Sequence, residues 1–140
     1  MDWKLLGRGV FLVNCLAIVY NPKNKMIIIG KREYDPYVKE LKWSFPGGRP
    51  TYGRTLEESL KDEINKKTNL KVIIKKLIFA RLHKEKKEFL SVYYYCETTG
   101  KNAKAGEKFA EIKWIKPAEV KKYFTTSVDS AIMKFLKQLK

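Results

Sequence analysis

The sequence predicts an α/β fold in which a mixed β-sheet lies between helices. Three observations carry this prediction: paired runs of β-branched and aromatic residues before and after the chain centre, a central segment with apolar residues at helical intervals, and a second such segment near the C-terminus. A chain of 140 residues with 44% hydrophobic residues can bury one sizeable core. We therefore expect a single domain over residues 1–140.

The first pair of strands is predicted at residues 11–20 and 26–30. Both segments are rich in β-branched and apolar residues, and the sequence Asn-Pro-Lys-Asn-Lys at 21–25 separates them. Proline and asparagine favour turns, so the two segments are expected to form a strand, a turn and a partner strand.

Three further strands are predicted in the second half of the chain. Residues 71–82 and 89–98 are two extended runs on either side of a charged turn, which predicts a second hairpin. A polar loop at 100–106 leads to the apolar residues of 109–115, and Pro117 ends that strand.

The central helix is predicted to begin at Thr55 and to end near Thr68. Thr55 and Glu58 form the pattern of a capping box, in which each residue's side chain accepts a backbone N–H of the other. Asn69 tolerates the left-handed conformation that stops a helix. The residues expected to face the sheet are Leu56, Leu60 and Ile64.

Two helices are predicted after the last strand. A short one is expected at 117–123, and a longer one is expected to start near Ser127. The apolar face of the longer helix is marked by Ile132, Phe135, Leu136 and Leu139.

The chain is strongly basic, with 30 Lys and Arg against 15 Asp and Glu and a formal net charge of +15. A field of that sign favours polyanions, such as RNA or a ribonucleoprotein. The alternative is a compositional bias of the genome or of a hot habitat, although Glu does not rise together with Lys. No apolar run reaches the roughly 18 residues of a membrane span, and no signal-peptide pattern follows the start. We expect a cytoplasmic protein without a membrane partner.

The segment from Gly48 to Leu70 carries the most specific pattern in the chain. Gly48, Glu63, Ile64 and Leu70 fit the spacing G-x5-E-x7-R-E-U-x-E-E-x-G-U, in which U is aliphatic. This spacing resembles the box of the Nudix (MutT-like) hydrolase family, and the resemblance covers nearly the whole chain. It implies an α/β/α sandwich with a mixed sheet and an activity that cleaves nucleoside diphosphate derivatives with Mg²⁺ or Mn²⁺.

The same segment departs from the family pattern at the charged positions. Arg54 stands in place of the first Glu, Asp62 replaces the Arg, and Asn69 replaces the Gly. Lys66 and Lys67 replace the pair of Glu residues. Of the metal ligands that the resemblance implies, the Gly47 carbonyl and Glu63 remain, and an ammonium group has no acceptor atom for a hard cation.

A rearranged metal site is the alternative, with Glu107 or Glu111 joining Glu63 and Gly47. Each of these two acidic residues is equally plausible as an exposed partner of a basic side chain. We expect no cofactor unless such a site exists, in which case Mg²⁺ or Mn²⁺ would bind and Glu63 would be the remaining catalytic residue.

Loss of the metal ligands does not imply loss of ligand binding. Lys66 and Lys67 could place ammonium groups where metal ions neutralise phosphate charge in the family. The alternative is that both lysines face solvent. The other expected phosphate or nucleic-acid contacts are Arg32, Arg49 and Arg54, with Lys31 on the same rim. The expected base-stacking residues are Tyr34, Tyr37 and Tyr52.

The sequence thus favours a non-catalytic Nudix-fold protein, a pseudoenzyme, that binds a nucleotide, RNA or a ribonucleoprotein through a basic surface. The competing hypotheses are an active Nudix hydrolase and a structural subunit that uses the fold as a docking surface. A homodimer is left open, since no residue in the sequence marks an interface.

Overall fold

The first hairpin begins the sheet as predicted. The computed structural model describes residues 7, 9–33, 42–84, 86–125 and 128–139. Strands β1 (Leu12–Asn21) and β2 (Met26–Arg32) are antiparallel and pair Tyr20 with Ile27. The turn between them places Lys25 at a left-handed φ of 60°.

The second hairpin extends the sheet on the other side of β1. Strands β5 (Ile73–Leu82) and β6 (Phe89–Glu97) are antiparallel, and β6 runs parallel to β1 along nine residue pairs. The long connection through the central helix makes this parallel pairing feasible, since parallel strands need a crossover. Parallel and antiparallel pairs coexist, so the predicted mixed sheet is confirmed.

Three further strands complete the sheet beside β1 and β2. Strand β3 (Trp43–Ser44) pairs with the end of β2, and β4 (Gly47–Gly48) pairs with β1. Strand β7 (Phe109–Ile115) pairs antiparallel with β2, with a β-bulge between Lys31 and Arg32. The bulge changes the direction of β7 at its first residues.

Helix α1 (Leu56–Thr68) has the predicted capping box at Thr55, and Asn69 ends it at a left-handed φ of 62°. Leu60 and Ile64 are buried as predicted, whereas Leu56 is 38% exposed. The prediction for Leu56 was wrong because side chains lean toward the helix N-terminus, and the first helical residue has no preceding turn to cover it.

The C-terminal part supplies a layer on the other side of the sheet. A 3₁₀ turn at Pro117–Glu119 leads into helix α2 (Val120–Tyr123). Helix α3 (Ser130–Gln138) begins with Asp129 as its N-cap, whose carboxylate accepts the N–H of Ala131. The predicted start near Ser127 lies outside the described residues.

Two buried clusters lie on opposite faces of the sheet, and side chains alternate between them along β1. The α1 face includes Ala17, Val19, Leu60 and Ile64. The α3 face includes Ile18, Tyr20, Ile132 and Phe135. This arrangement is the predicted α/β/α sandwich. Among the described helices, none has both the length and the apolar character needed to cross a membrane.

Candidate functional site

The candidate site forms where β4 meets helix α1. Gly47 and Gly48 pair with Leu16 and Cys15 of β1. A Cβ on Gly47 would lie 2.0 Å from the Cys15 carbonyl oxygen, and one on Gly48 would lie 2.8 Å from the carboxyl carbon of Glu63. Position 47 requires glycine because its neighbour is backbone, and Gly48 leaves room for the Glu63 side chain, so the Gly47 carbonyl and the Glu63 carboxylate share one site.

The Lys67 ammonium lies between these two groups. Its Nζ donates a hydrogen bond to the Gly47 carbonyl oxygen and lies 3.4 Å from Oε2 of Glu63. The side chains of Lys67 and Glu63 are 14% and 24% exposed, so the pair is largely shielded from water. Residues 63 and 67 are one helical turn apart, which places both side chains on the same face of α1.

The environment of Lys67 is crowded with positive charge. Burial lowers the pKa of Lys67, and the charges of Lys108 and Arg32 lower it further, while the Glu63 carboxylate acts in the opposite direction. The ammonium also lies 6.0 Å from the centroid of the Phe109 ring. The ammonium is therefore held by Gly47 and Glu63 within a site that already repels cations.

The donor set does not fit a divalent metal ion. Mg²⁺ and Mn²⁺ need several oxygen ligands, and Lys67 offers only N–H donors at the position between Gly47 and Glu63. Within the part of the chain that the structure describes, no group of three or more His, Cys, Asp or Glu side chains could hold a metal ion. Lys67 thus places a positive charge between the two oxygen atoms and supplies no ligand for a metal ion.

Glu111, one of the two glutamates of the predicted rearranged site, lies away from Glu63. Ile112 and Trp114 of β7 pack on the α1 face, so the alternating residues Glu111 and Lys113 point to the α3 face. Consistently, the Lys113 ammonium lies 4.9 Å from the Tyr123 ring of α2. The prediction that Glu111 could join Glu63 was wrong because the sheet separates them.

Glu107 lies beside the C-terminal end of α1. Its side chain is exposed, and its backbone N–H donates to the Lys66 carbonyl oxygen at 3.1 Å. The Lys66 side chain is exposed as well. The structure thus brings Lys67 into the site and leaves Lys66 at the surface. The sequence had predicted the same role for both lysines.

Arg54 is engaged in ion pairs on the outer side of α1. Its guanidinium lies 2.9 Å from Oδ2 of Asp62 and 3.9 Å from Oε2 of Glu58. The family pattern has Glu and Arg at positions 54 and 62, so this chain carries the opposite charge at each. The two departures compensate each other, and Arg54 contacts carboxylates of its own chain in place of the predicted phosphate.

The remaining predicted residues are spread around the site. Arg49 is exposed and its guanidinium carbon lies 5.8 Å from the Phe89 ring centroid, while Tyr52 is fully exposed. Arg32 pairs across the sheet with Phe109, and Lys31 pairs with Glu111. Tyr34 and Tyr37 lie outside the described residues.

Lys108 and Phe109 were missed by the sequence predictions. Lys108 adopts a left-handed φ of 61°, and its carbonyl accepts the N–H of Glu33 at 2.8 Å. A Cβ on Gly30 would lie 2.2 Å from the Phe109 ring, so the ring occupies the space above Gly30. The only sequence signal was a glycine inside a strand, which marks a close approach without identifying what approaches.

Comparison with known proteins bears on the fold. Residues 10–136 match the model of the NUDIX domain. A NUDIX hydrolase from Nitrosomonas europaea aligns at a TM-score of 0.77 and 15% identity over 93% of this chain and 72% of that one. The MutT protein from Methanosarcina mazei Go1 aligns at 0.72 and 14% identity over 93% of each chain.

A MutT NUDIX hydrolase from Burkholderia pseudomallei aligns at a TM-score of 0.66 and 16% identity over 94% of this chain and 100% of that one. Comparison with curated proteins gave no match. At these identities the solved structures establish a shared fold.

Proposed function

Because this chain belongs to the NUDIX domain family, we propose that it is a non-catalytic member that binds a phosphate-bearing ligand, a nucleotide, RNA or a ribonucleoprotein, through its basic surface. Nudix hydrolases generally use Mg²⁺ or Mn²⁺. In this chain three carboxylates of the box are replaced by Arg54, Lys66 and Lys67, and the site between Gly47 and Glu63 contains a lysine.

One observation carries the proposal: the Lys67 ammonium bridges the Gly47 carbonyl and the Glu63 carboxylate. Metal catalysis requires ligands of the right number and geometry around an open coordination position. Here Lys67 donates to the Gly47 carbonyl and forms an ion pair with Glu63, so a divalent cation would have to displace a largely buried ammonium and then tolerate its charge. The site lacks the means to activate water through a metal.

The charge of the molecule favours an anionic ligand. The chain carries a formal net charge of +15, and the charges of Lys108 and Arg32 act on Lys67. Phosphate groups are attracted by such a field and replace bound counterions on binding. The same substitutions that remove metal affinity therefore increase phosphate affinity.

The first test measures RNA binding by fluorescence anisotropy over a series of NaCl concentrations, with a labelled single-stranded RNA. The plot of log affinity against log salt is expected to be linear, with a slope of about −0.7 for every phosphate neutralised. Absence of RNA binding, or binding that does not depend on salt, would contradict the proposal for RNA.

The second test is for hydrolysis of nucleoside diphosphate derivatives with Mg²⁺ or Mn²⁺. We expect no turnover by the natural protein. Metal-dependent turnover that is lost in Glu63→Gln would establish an active Nudix hydrolase and reject the non-catalytic proposal. The Glu63→Gln control also separates true turnover from a contaminating phosphatase, which the substitution would leave unchanged.

A further inference from the structure

Strand β5 forms one edge of the sheet. The strands follow the order β3–β2–β1–β6–β5, and within the described part of the chain β5 pairs only with β6. The outer side of its backbone therefore presents N–H and C=O groups to an added strand. Three of its large apolar side chains are also exposed: Ile73 at 62%, Leu77 at 53% and Leu82 at 54%.

One face of β5 is apolar. Four of its residues pair across the sheet with residues of β6 that lie in or against the buried cluster on the α1 face. These four residues, which we call the β5 stripe, are Ile74, Leu77, Ala80 and Leu82. Register shifts between Ile74 and Lys76 and between Leu77 and Phe79 keep residues three apart on the same face.

Helix α1 leaves room beside the start of the β5 stripe. A cavity of about 350 Å³ lies between the outer side of α1 and the residues that lead into β5. It is lined by Lys61, Asp62, Asn65, Leu70, Lys71 and Val72. Farther along, Leu77 and Leu82 are more than half exposed, so α1 does not cover the stripe there. Side chains of an added strand can therefore contact the stripe without displacing α1.

The α3 face of β5 carries an exposed cation. The ammonium of Lys76 lies 5.4 Å from the centroid of the Phe135 ring of α3. Lys75 and Arg81 lie 3.9 Å and 3.5 Å from carboxylate oxygens of the same chain. Lys76 is exposed and forms no ion pair among the residues that the structure describes. The charge available to a partner on this face is therefore that of Lys76.

A second copy of this chain fits the edge poorly. Residues 71–82 include Lys71, Lys75, Lys76 and Arg81 and no acidic residue. Two β5 strands side by side would thus bring cations together without a carboxylate, which is unfavourable between neighbouring strands. Lysine on an edge strand commonly prevents such self-pairing. The edge instead fits a strand with apolar side chains on one face and carboxylates on the other.

The opposite edge of the sheet lacks the apolar face. Strand β7 pairs only with β2 among the described strands. Its exposed residues are Ala110, Glu111 and Lys113, and none of them is a large apolar residue. The two edges therefore differ, and β7 provides a control within the same molecule.

We propose that the edge of β5 binds an extended segment of a partner protein that alternates acidic and apolar residues and adds to the sheet as a further strand. The apolar side chains of the segment lie on the β5 stripe, and a carboxylate lies near Lys76. Main-chain hydrogen bonds supply affinity, and the alternation supplies specificity. Strands β6 and β1 separate β5 from β4 and Lys67, so this surface extends the proposed function and does not depend on phosphate binding.

The probe is a fluorescent peptide of ten residues, the length of β5, that alternates glutamate and valine. Fluorescence anisotropy is expected to show saturable binding to the natural protein. A peptide of the same composition with all glutamates before all valines is expected to bind roughly tenfold more weakly, because it cannot present one acidic and one apolar face. Equal binding of the two peptides, or no binding of the alternating one, would overturn the proposal.

Lys76→Glu tests the charge, with Lys113→Glu as the matched control. Both lysines are exposed strand residues whose ammonium groups lie near an aromatic ring, at 5.4 Å and 4.9 Å. Strand β7 is four strand spacings from β5, roughly 19 Å at about 4.8 Å each. Lys76→Glu is expected to bind the glutamate peptide roughly tenfold more weakly and to bind a lysine–valine peptide more tightly than the natural protein does. Equal losses in the two variants would contradict binding at β5.

Leu77→Ser tests the β5 stripe, with Leu56→Ser as its control. Leu56 is also a partly exposed leucine, but it lies on α1. Leu77→Ser is expected to bind the glutamate peptide roughly tenfold more weakly, because less apolar surface is buried, while Leu56→Ser binds as the natural protein does. Unchanged binding by Leu77→Ser would contradict contact with the stripe.

Hydrogen exchange and sedimentation complete the test. Amide exchange along β5 is expected to slow in the peptide complex while exchange along β7 stays the same, and unchanged exchange along β5 would overturn strand addition. The natural protein is expected to sediment as a monomer. A dimer that Leu77→Ser dissociates would assign the edge to a second copy and reject the acidic partner.

Discussion

At the scale of single residues, Lys67 decides the character of the site. The sequence shows that a lysine stands in place of a carboxylate, and this much follows from spacing alone. The hydrogen bond to the Gly47 carbonyl does not follow, because it joins residues 20 positions apart on two different elements. Nor could the sequence distinguish Lys66 from Lys67, since their different exposure depends on which side of α1 meets β4.

The pH dependence of stability tests the environment of Lys67. Burial, together with the charges of Lys108 and Arg32, lowers its pKa below the ordinary value of 10.5, against the opposing effect of Glu63. Below the lowered pKa both the folded and unfolded states carry this proton, and the folded state bears the cost of the buried charge. Between the lowered pKa and 10.5 only the unfolded state remains protonated, so stability rises with pH.

We therefore expect the free energy of unfolding of the natural protein to rise relative to that of Lys67→Met across this window. Denaturant titrations at a series of pH values measure the difference, and subtraction of the variant removes the contributions of the other lysines. A difference that falls with increasing pH would show that Lys67 is stabilised as a cation by Glu63 more than it is destabilised by burial.

At the scale of elements, helix α1 was the most predictable part of the molecule. The capping box at Thr55 and the left-handed Asn69 are local signals, and both boundaries match the structure. What could not be predicted is the partner of each charged side chain. In the sequence, Arg54 and Asp62 look like two independent departures from the family pattern. In the structure they form one ion pair at 2.9 Å, with the positive and the negative residue exchanged relative to that pattern.

A double-mutant cycle on Arg54→Glu and Asp62→Arg tests this compensation. Each single substitution juxtaposes like charges, and the double variant restores an ion pair with the family polarity. Because both side chains are more than 40% exposed, we expect a favourable coupling of only about 0.2–1 kcal/mol in the unfolding free energy. Additive effects of the two substitutions would mean that the pair has no energetic role.

The loop before β7 closes the C-terminal end of α1. The N–H groups of Lys104, Gly106 and Glu107 donate to carbonyls in the last turn of the helix, at distances of 2.9, 2.9 and 3.1 Å. These carbonyls have no partner within the helix, so the loop supplies the missing hydrogen bonds. The sequence identified a polar loop here but gave no sign that it docks on α1.

Gly106→Ala is expected to lower stability by about 1–3 kcal/mol, the usual cost of forcing extra atoms into a packed place. A Cβ at this position would lie 1.9 Å from the Lys66 carbonyl oxygen, which is backbone and cannot rotate away. Gly7→Ala is the control, because a Cβ there meets nothing within 4 Å. Equal thermal stability of the two variants would show that the loop does not dock as described.

At the scale of the whole molecule, the topology sets the electrostatic environment of Lys67. The charges of Lys108 and Arg32 act on Lys67 from the residue before β7 and from the end of β2, and these two strands pair with each other. Hydrophobic periodicity predicts strands and helices, so the α/β/α layers were predictable. Strand order and the bulge beside Arg32 depend on long-range pairing, which explains why Lys108 and Phe109 were missed.

The most direct test of the central claim is calorimetric titration of Mn²⁺ into the metal-free natural protein, Lys67→Glu and Lys66→Glu. The two variants make the same charge change at neighbouring positions, but only residue 67 lies between Gly47 and Glu63. We predict saturable binding by Lys67→Glu alone. Stoichiometric Mn²⁺ binding by the natural protein would contradict the claim that the Lys67 ammonium takes the place of the metal.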